Sequence, residues 1–391
     1  MTNTDYSKYN FDDIRPYSDE EVKDAIESLV DSEGMKNAMR YIKPEMKWEQ
    51  YVEVMRMCKT KKQFKEILAY QAVMDIAKKT TFSLTISGRS RIPENKPCTF
   101  ISNHRDIVLD AAFLNALLLD IGHGMTQIAI GDNLLIHPWI DTIVRLNNCF
   151  IVKRDLSVRQ LLKSSVQLSA YIHHAIKDLK ESIWIAQREG RAKDSNDQTQ
   201  TSVLKMLNMS GEGEYKDRVL DNLMSLNIVP IAISYEYDPC DYLKAQEFQQ
   251  KRDNPDFVKS KRDDLFNMET GMLNNKGRVH FSIGAPINDR LALLADKNLD
   301  KNAMYAAIAE IIDKEIYKRY RFYPCNYVAY DMLYNSVFFR TNYDLRDKML
   351  FETYLQKQLE KINIPDKDDI YLRTKFLEMY SNPLKNHLEK R

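Results

Sequence analysis

No stretch of the chain is apolar for long. The longest apolar run, roughly residues 111–119, is interrupted by Asn115, and a helix that crosses a bilayer needs about 20 such residues. Residues 1–20 are polar and acidic, whereas a secretory leader is basic and then apolar. We therefore expect a cytoplasmic protein without a transmembrane span, which would be peripheral at the inner face of the membrane.

Glycine, proline and cysteine are also scarce, with 11, 12 and 5 residues among 391. A chain so poor in glycine and proline is neither fibrous nor largely disordered. The cysteines are widely spaced and form no metal-like pair, so we expect reduced, buried thiols and no metal site. They are Cys58, Cys98, Cys149, Cys240 and Cys325. The 57 basic and 56 acidic side chains nearly cancel, which argues against a nucleic-acid partner.

What the chain does have is a change of hydrophobic period near residue 81. Before it, apolar residues are spaced as on helices, and Ser18 with Glu21 could form a capping box. We therefore predict an N-terminal helical domain over residues 1–80. Two histidines of a later helix, His173 and His174, are expected to face solvent.

From residue 81 onwards, short apolar strands alternate with helices. Strands are expected at 82–86, 98–101, 126–131, 149–153, 182–187, 227–234 and 278–283, and helices at 108–120, 155–179, 199–208 and 300–318. This alternation predicts an α/β fold, a mixed and largely parallel sheet flanked by helices, over residues 81–320. Residues 236–275 are expected to be an insertion with some helix, and residues 321–391 a C-terminal helical extension.

The first segment that carries chemistry, residues 102–110, follows a buried strand and precedes a helix. Ligands bind at the carboxyl ends of strands in such sheets, and this segment contains His104. Imidazole titrates near neutrality, and a carboxylate on its second nitrogen would fix its tautomer and stabilise its cation. The segment offers two carboxylates for this purpose, Asp106 and Asp110. We predict that His104 is a general base.

Two further strand ends carry cations. One strand runs into Lys153 and Arg154, and another into Glu189, Gly190 and Arg191. The forked guanidinium of arginine matches a phosphate or carboxylate bidentately. A base beside such a phosphate cradle suits a phosphorylated alcohol as substrate.

These segments resemble, in order, the four blocks of the glycerol-phosphate and lysophosphatidate acyltransferase superfamily. The blocks Asn-His-x4-Asp, Phe-Ile-x-Arg, Glu-Gly-x-Arg and Val-Pro-Ile correspond here to residues 103–110, 150–154, 189–191 and 228–236. The Tyr235-Glu236 ending, and the absence of Phe-Pro before Glu189, are closer to the glycerol-3-phosphate branch. The resemblance covers roughly residues 80–290.

The first block departs from the family by one residue, because five residues separate His104 from Asp110 where the family has four. The order of the block favours Asp110 as the partner of His104. Asp106 is the alternative, although aspartate there could equally cap the following helix. The second block likewise holds one extra residue before Arg154.

The resemblance implies an O-acyltransferase of phospholipid synthesis. It would move a fatty acyl group from acyl-CoA or an acyl-carrier protein to a hydroxyl of glycerol 3-phosphate, with His104 as the base. No metal and no cofactor other than the acyl donor is implied. The phosphate-binding candidates are Arg154, Arg191, Lys153 and Arg105, and the candidates that orient the substrate are Glu189 and Gly190. Segments 107–119 and 134–140 could line an acyl groove, although core packing would explain most of their side chains.

Two other functions are compatible with the pattern. The acceptor could be 1-acylglycerol 3-phosphate, or another lysolipid or aminolipid. The chain could also be a non-catalytic protein whose basic strand ends bind anionic lipid at a membrane surface. The pairing of His104 with an aspartate argues against the non-catalytic alternative.

Overall fold

Seven short strands form one sheet in the computed structural model, which describes Tyr6 and residues 8–154, 156–210 and 218–390. The strands are β1 (Ser83–Ser87), β2 (Thr99–Ser102), β3 (Gln127–Gly131), β4 (Cys149–Val152), β5 (Ile183–Ala186), β6 (Ile228–Tyr235) and β7 (Arg278–Ile283). Their order across the sheet is β1-β7-β6-β2-β5-β3-β4. Neighbouring strands are parallel except β6 and β7. The predicted α/β class with a mixed, largely parallel sheet is confirmed.

Strand direction decides which segments meet. The carboxyl ends of the five strands from β6 to β4 lie at one edge of the sheet, which we call the C-terminal edge. Because β7 and β1 run in the opposite direction, their amino ends reach this same edge. The central strands β2 and β6 are buried along their whole length, whereas the edge strand β1 is partly exposed.

Helices cover both faces of the sheet. They are α1 (Val22–Val30), α2 (Glu33–Ile42), α3 (Trp48–Met57), α4 (Lys61–Phe64), α5 (Tyr70–Thr80), α6 (Leu109–Asp120), α7 (Pro138–Leu146), α8 (Val158–Lys177), α9 (Thr201–Leu207), α10 (Arg218–Ser225), α11 (Asp241–Asp253), α12 (Lys261–Leu273), α13 (Asn288–Ala292), α14 (Lys301–Tyr317), α15 (Pro324–Leu333), α16 (Leu345–Glu360) and α17 (Asp369–Glu389). The predicted insertion contains α11 and α12, and one π-helical turn, Lys65–Ala69, joins α4 to α5.

Alternating side chains of the strands build a separate core on each face. Ile101 and Ile185 point into one core, and their neighbours Phe100 and Trp184 point into the other. The five cysteines are buried and unpaired, as expected. Within the described ranges, no helix is both long and apolar enough to cross a membrane.

The terminal helices form two further cores. The N-terminal core packs against α7 through Leu146, and the C-terminal core includes Ala245 of α11. Each of these cores therefore draws on residues of the segment 81–320. The domain boundaries at residues 80 and 320 stay predictions, and residues 1–5, 7 and 391 of the predicted terminal domains lie outside the described part of the chain.

Candidate active site

His104 lies just beyond β2 and is bonded to Asp110. Its Nδ1 is 2.8 Å from Oδ2 of Asp110, a fully buried carboxylate in the first turn of α6. The same oxygen accepts the backbone N–H groups of Arg105, at 2.5 Å, and Asp106, at 3.0 Å. The positive end of the α6 dipole also favours a carboxylate at this place. Because Asp110 occupies Nδ1, the ring nitrogen available to a substrate is Nε2.

The segment that carries His104 is held from two sides. The Asn103 carboxamide donates to the carbonyl of Ile233 at 2.9 Å and accepts from its N–H at 2.8 Å, which ties the segment to β6. The indole of Trp184 lies edge-on to the imidazole, 5.6 Å between ring centres, and donates to Ser102 at 3.0 Å. The imidazole is therefore positioned before any ligand binds, and its side chain keeps 14% of its surface exposed.

Asp106 caps the helix and does not contact His104. Its Oδ1 accepts the backbone N–H groups of Val108 and Leu109 at 2.9 and 2.8 Å. Its Oδ2 is buried and has no hydrogen-bond partner among the described residues. Burial, and then the charge of Asp110, raises the pKa of this carboxyl group. Of the two aspartates considered from the sequence, Asp110 is the one against His104.

Arg191 comes from the loop after β5, the strand next to β2. Burial alone would lower the pKa of its guanidinium, but the neighbouring Cys240 and Asp106 raise it above the ordinary value. Its Nη1 atom is buried and has no hydrogen-bond partner within the described ranges. Gly190 has a φ of +65°, which glycine adopts without strain. The loop therefore turns a cation with an unused donor toward the His104 segment.

Arg154 follows β4 and reaches back over β3. Its Nη1 is 3.7 Å from the exposed Glu189 carboxylate, and its buried Nε has no partner among the residues described. The side chain passes over Gly131, where a Cβ atom would lie 2.7 Å from that Nε. His104 and Arg154 follow strands three places apart, about 14 Å at 4.8 Å per strand. They share the C-terminal edge, but no hydrogen bond or ion pair between them occurs in the described structure.

Two predicted phosphate-binding residues have other partners. The guanidinium of Arg105 forms a buried, two-point ion pair with Asp197, at 3.0 and 2.6 Å, and Tyr320 also bonds to that carboxylate. The ammonium group of Lys153 pairs with Asp13 of the N-terminal segment. A phosphate would have to displace Asp197 from the buried guanidinium of Arg105, so the geometry does not support phosphate binding by Arg105. Lys153 is 32% exposed and keeps donors beside its ion pair with Asp13, so its phosphate-binding role stays a prediction.

Core packing, the explanation expected for most side chains of segment 107–119, is what the structure shows for three of its leucines. Leu109, Leu114 and Leu118 of α6 are buried in the core against the sheet. A narrow cleft does open near the first block, but His104 is not among its lining residues. That cleft is lined by Arg105, Ser195, Ser234, Tyr235, Tyr320 and Arg321, among others.

Sequence reasoning missed two buried groups beside the aspartates. Lys276, just before β7, is fully buried, and burial lowers its pKa to about 8 although the charge of Asp106 opposes this. The hydroxyl of Tyr235 is buried without a partner in the described structure, and burial and then the charge of Asp110 raise its pKa. Tyr235 ends the fourth block and so was visible in the sequence. Lys276 could not be identified from the sequence, because the sequence does not reveal that β7 is antiparallel to β6. This direction brings the start of β7 to the C-terminal edge.

Comparison with known proteins gives the class of the enzyme. Residues 83–234 match the model of the family described as Acyltransferase. The matched segment contains His104, Asp110, Arg154 and Arg191, and it spans β1 through all but the last residue of β6. The chain is an acyltransferase. The match supports the resemblance of its four blocks to the glycerolipid acyltransferase superfamily.

One solved structure similar to the chain is the 1-acyl-sn-glycerophosphate (LPA) acyltransferase PlsC from Thermotoga maritima. The similarity covers 74% of this chain and 91% of that chain, at 9% sequence identity and a TM-score of 0.34. A likeness of this size is too small to argue from. No curated protein sequence matches the chain significantly.

Proposed function

We propose that the protein transfers a fatty acyl group from an acyl thioester to a hydroxyl of glycerol 3-phosphate. One observation carries the proposal: the bonded pair of His104 and Asp110 lies at the same sheet edge as Arg191, whose buried Nη1 has no protein partner in the described structure. A general base and an unsatisfied guanidinium are the two groups that a phosphorylated alcohol needs.

In the proposed reaction, Nε2 of His104 removes the proton of the acceptor hydroxyl while its oxygen attacks the thioester carbonyl. Asp110 stabilises the resulting imidazolium through Nδ1. When the tetrahedral intermediate collapses, the carbon–sulfur bond breaks and the thiolate takes the proton from His104. The products are an ester and a free thiol, and the histidine returns to its neutral form. Arg191, with Arg154 at the far side, would hold the phosphate of the acceptor, and Glu189 would orient Arg154.

The choice of glycerol 3-phosphate rests on the sequence blocks. The Tyr235-Glu236 ending and the lack of Phe-Pro before Glu189 favour the glycerol-3-phosphate branch, with acyl-CoA or an acyl-carrier protein as donor. Acylation of 1-acylglycerol 3-phosphate, or of another lysolipid or aminolipid, is the alternative.

We also propose that the enzyme works as a peripheral protein at the cytoplasmic face of a membrane. The first turns of α8 begin close to Arg154 and expose Val158, Leu161 and Leu162, at 87%, 49% and 57% of their surface. Arg159 and Lys163 flank these side chains and are exposed as well. An apolar stripe with basic flanks is typical of helices that lie in a lipid interface.

An acceptor panel tests the function. Free thiol released from acyl-CoA would be measured with glycerol 3-phosphate, 1-acylglycerol 3-phosphate and glycerol, the last being a matched acceptor without phosphate. We expect release to depend on glycerol 3-phosphate, with an ester product that mass spectrometry identifies, and to be weak with glycerol. Release with the lysolipid alone would favour the alternative. Lipid binding without any thiol release would contradict an enzymatic role.

A further inference from the structure

Three lysines surround one buried glutamate beside the loop that carries Arg191. The Nζ atoms of Lys251 and Lys259 lie 2.9 and 2.8 Å from the Glu247 carboxylate, and Lys193 binds the same group. The Glu247 side chain is 3% exposed, whereas those of Lys193, Lys251 and Lys259 are 28%, 50% and 19% exposed. The three lysine side chains are therefore partly exposed around a carboxylate that is buried. We call these three residues the lysine cluster.

The lysine cluster carries more positive charge than its protein partners balance. An ammonium group has three N–H donors, so each lysine keeps donors free after contacting Glu247. Burial lowers the pKa of Lys193 to about 8. The positive charges of Lys251 and Lys259 also lower this pKa, whereas Glu247 raises it. Asp263, whose pKa Lys259 also influences, is engaged by the N–H and hydroxyl of Ser260. A bound phosphate would supply the missing negative charge.

The lysine cluster lies at the same sheet edge as the proposed active site, but some distance from the base. Lys193 follows Arg191 in the loop after β5, whereas Lys251 and Lys259 belong to the predicted insertion, outside the matched residues 83–234. Cys240, which neighbours Arg191, precedes α11, and Glu247 lies two turns further along that helix, about 10 Å at 1.5 Å per residue. This separation suits a second anion on a long substrate better than the phosphate of a small acceptor.

We propose that Lys193, Lys251 and Lys259 bind phosphate groups of coenzyme A, so that the insertion recognises the donor as an acyl-CoA. The inference rests on the proposed function, because it assigns the donor of that same reaction. An acyl-carrier protein is the other thioester donor, but it would present an extended acidic surface. Three ammonium groups gathered around a single buried carboxylate form a compact site, which matches a phosphate group more closely.

Binding of free coenzyme A tests the proposal without requiring turnover. Calorimetry would compare the unmodified protein with Lys251→Gln and Lys259→Gln, and we expect the Kd for coenzyme A to rise about three- to tenfold in each, as for a lost charged hydrogen bond at a partly exposed site. Lys314→Gln is the matched control, since Lys314 is 51% exposed and pairs with Glu310 four residues earlier at 2.9 Å. An unchanged Kd in both cluster variants would overturn the proposal.

A kinetic comparison identifies the part of the donor that is recognised. In Lys251→Gln, the KM for acyl-CoA should rise about three- to tenfold, while that for acyl-pantetheine, which lacks the nucleotide phosphates, should not change. An equal rise for both donors would contradict phosphate recognition, as would an effect confined to an acyl-carrier protein. The two proposals can fail separately. If the protein transferred no acyl group but the cluster variants still lost coenzyme A binding, the proposed function would be refuted and the binding site would stand.

Discussion

The two halves of the candidate site differ in which buried polar atoms the protein leaves without a partner. In the His104 half, residues 103–110, Asp110 and Asn103 each engage more than one partner. The unpaired buried atoms described in this half, Oδ2 of Asp106 and Oδ1 of Asp110, belong to carboxyl groups, which do not attract an anion. In the arginine half, the loops after β4 and β5, the buried Nε of Arg154 and Nη1 of Arg191 have no hydrogen-bond partner within the described ranges, and neither does the carboxamide of Gln187. Buried polar groups in folded proteins are normally paired. His104 is therefore positioned in advance, and the unpaired guanidinium donors of the arginine half are left to be completed by an anion.

This difference has an energetic consequence. A buried donor without a partner costs about 1–3 kcal/mol, and a hydrogen bond to a charged group contributes about the same amount when it forms. An anion that enters the arginine half would recover this cost, so changes there should alter substrate affinity. Changes in the His104 half should alter the chemical step, because its contacts exist before the substrate binds.

The largest expected effect is on the His104 half. Asp110→Asn keeps the size of the side chain but removes the charge that stabilises the imidazolium, so kcat should fall about 10²–10⁴-fold with little change in the KM of the acceptor. Steady-state kinetics with a saturating donor would measure it. Asp106→Asn is the matched control, because Asp106 caps α6 without touching the ring. Equal kcat values for Asp110→Asn and the unmodified enzyme would remove the distinction between the two aspartates.

A smaller and different effect is expected in the arginine half. Arg191→Gln should raise the KM for a phosphorylated acceptor about 10–100-fold, the loss of one or two charged hydrogen bonds, and should change kcat much less. The comparison variant is Arg346→Gln, which removes an exposed arginine in the first turn of α16. If Arg191→Gln lowered kcat alone, the division of the site into a reacting half and a binding half would be wrong.

The smallest effect should come from Gly131→Ala. A Cβ atom there would lie 2.7 Å from Nε of Arg154 and 2.5 Å from Oδ1 of Asn133, so the guanidinium must shift. We expect the KM of the acceptor to rise about fivefold, or roughly 1 kcal/mol. Gly124→Ala is the control, since a Cβ atom at that position meets nothing within 4 Å. An identical KM in both variants would indicate that Arg154 takes no part in binding.

The features that sequence predicted are local ones. The seven strands follow short apolar runs, and the contact of His104 with Asp110 spans a single turn between a strand and a helix. Features that depend on distant partners were not predicted. The guanidinium of Arg105 is engaged by Asp197, 92 residues further along, and Lys153 by Asp13, so neither pair can be inferred from spacing.

The predicted orientation of His173 was wrong for a similar reason. Its side chain is 1% exposed, and its Nε2 lies 2.9 Å from the carbonyl of Leu207 at the end of α9. Helical periodicity shows which residues share a face of α8, but not that a second helix covers that face. Burial lowers the pKa of this imidazole to about 4, as expected for a structural histidine away from the sheet edge.

Turnover of His104→Ala, with both substrates saturating, tests the central claim most directly. The ring of His123 is the matched control, because it lies after α6, away from the C-terminal edge, and its alanine variant removes a histidine of similar exposure. We predict that His104→Ala lowers kcat about 10²–10⁴-fold while His123→Ala leaves it unchanged. Acyl transfer at the unmodified rate by His104→Ala would contradict the assignment of the base.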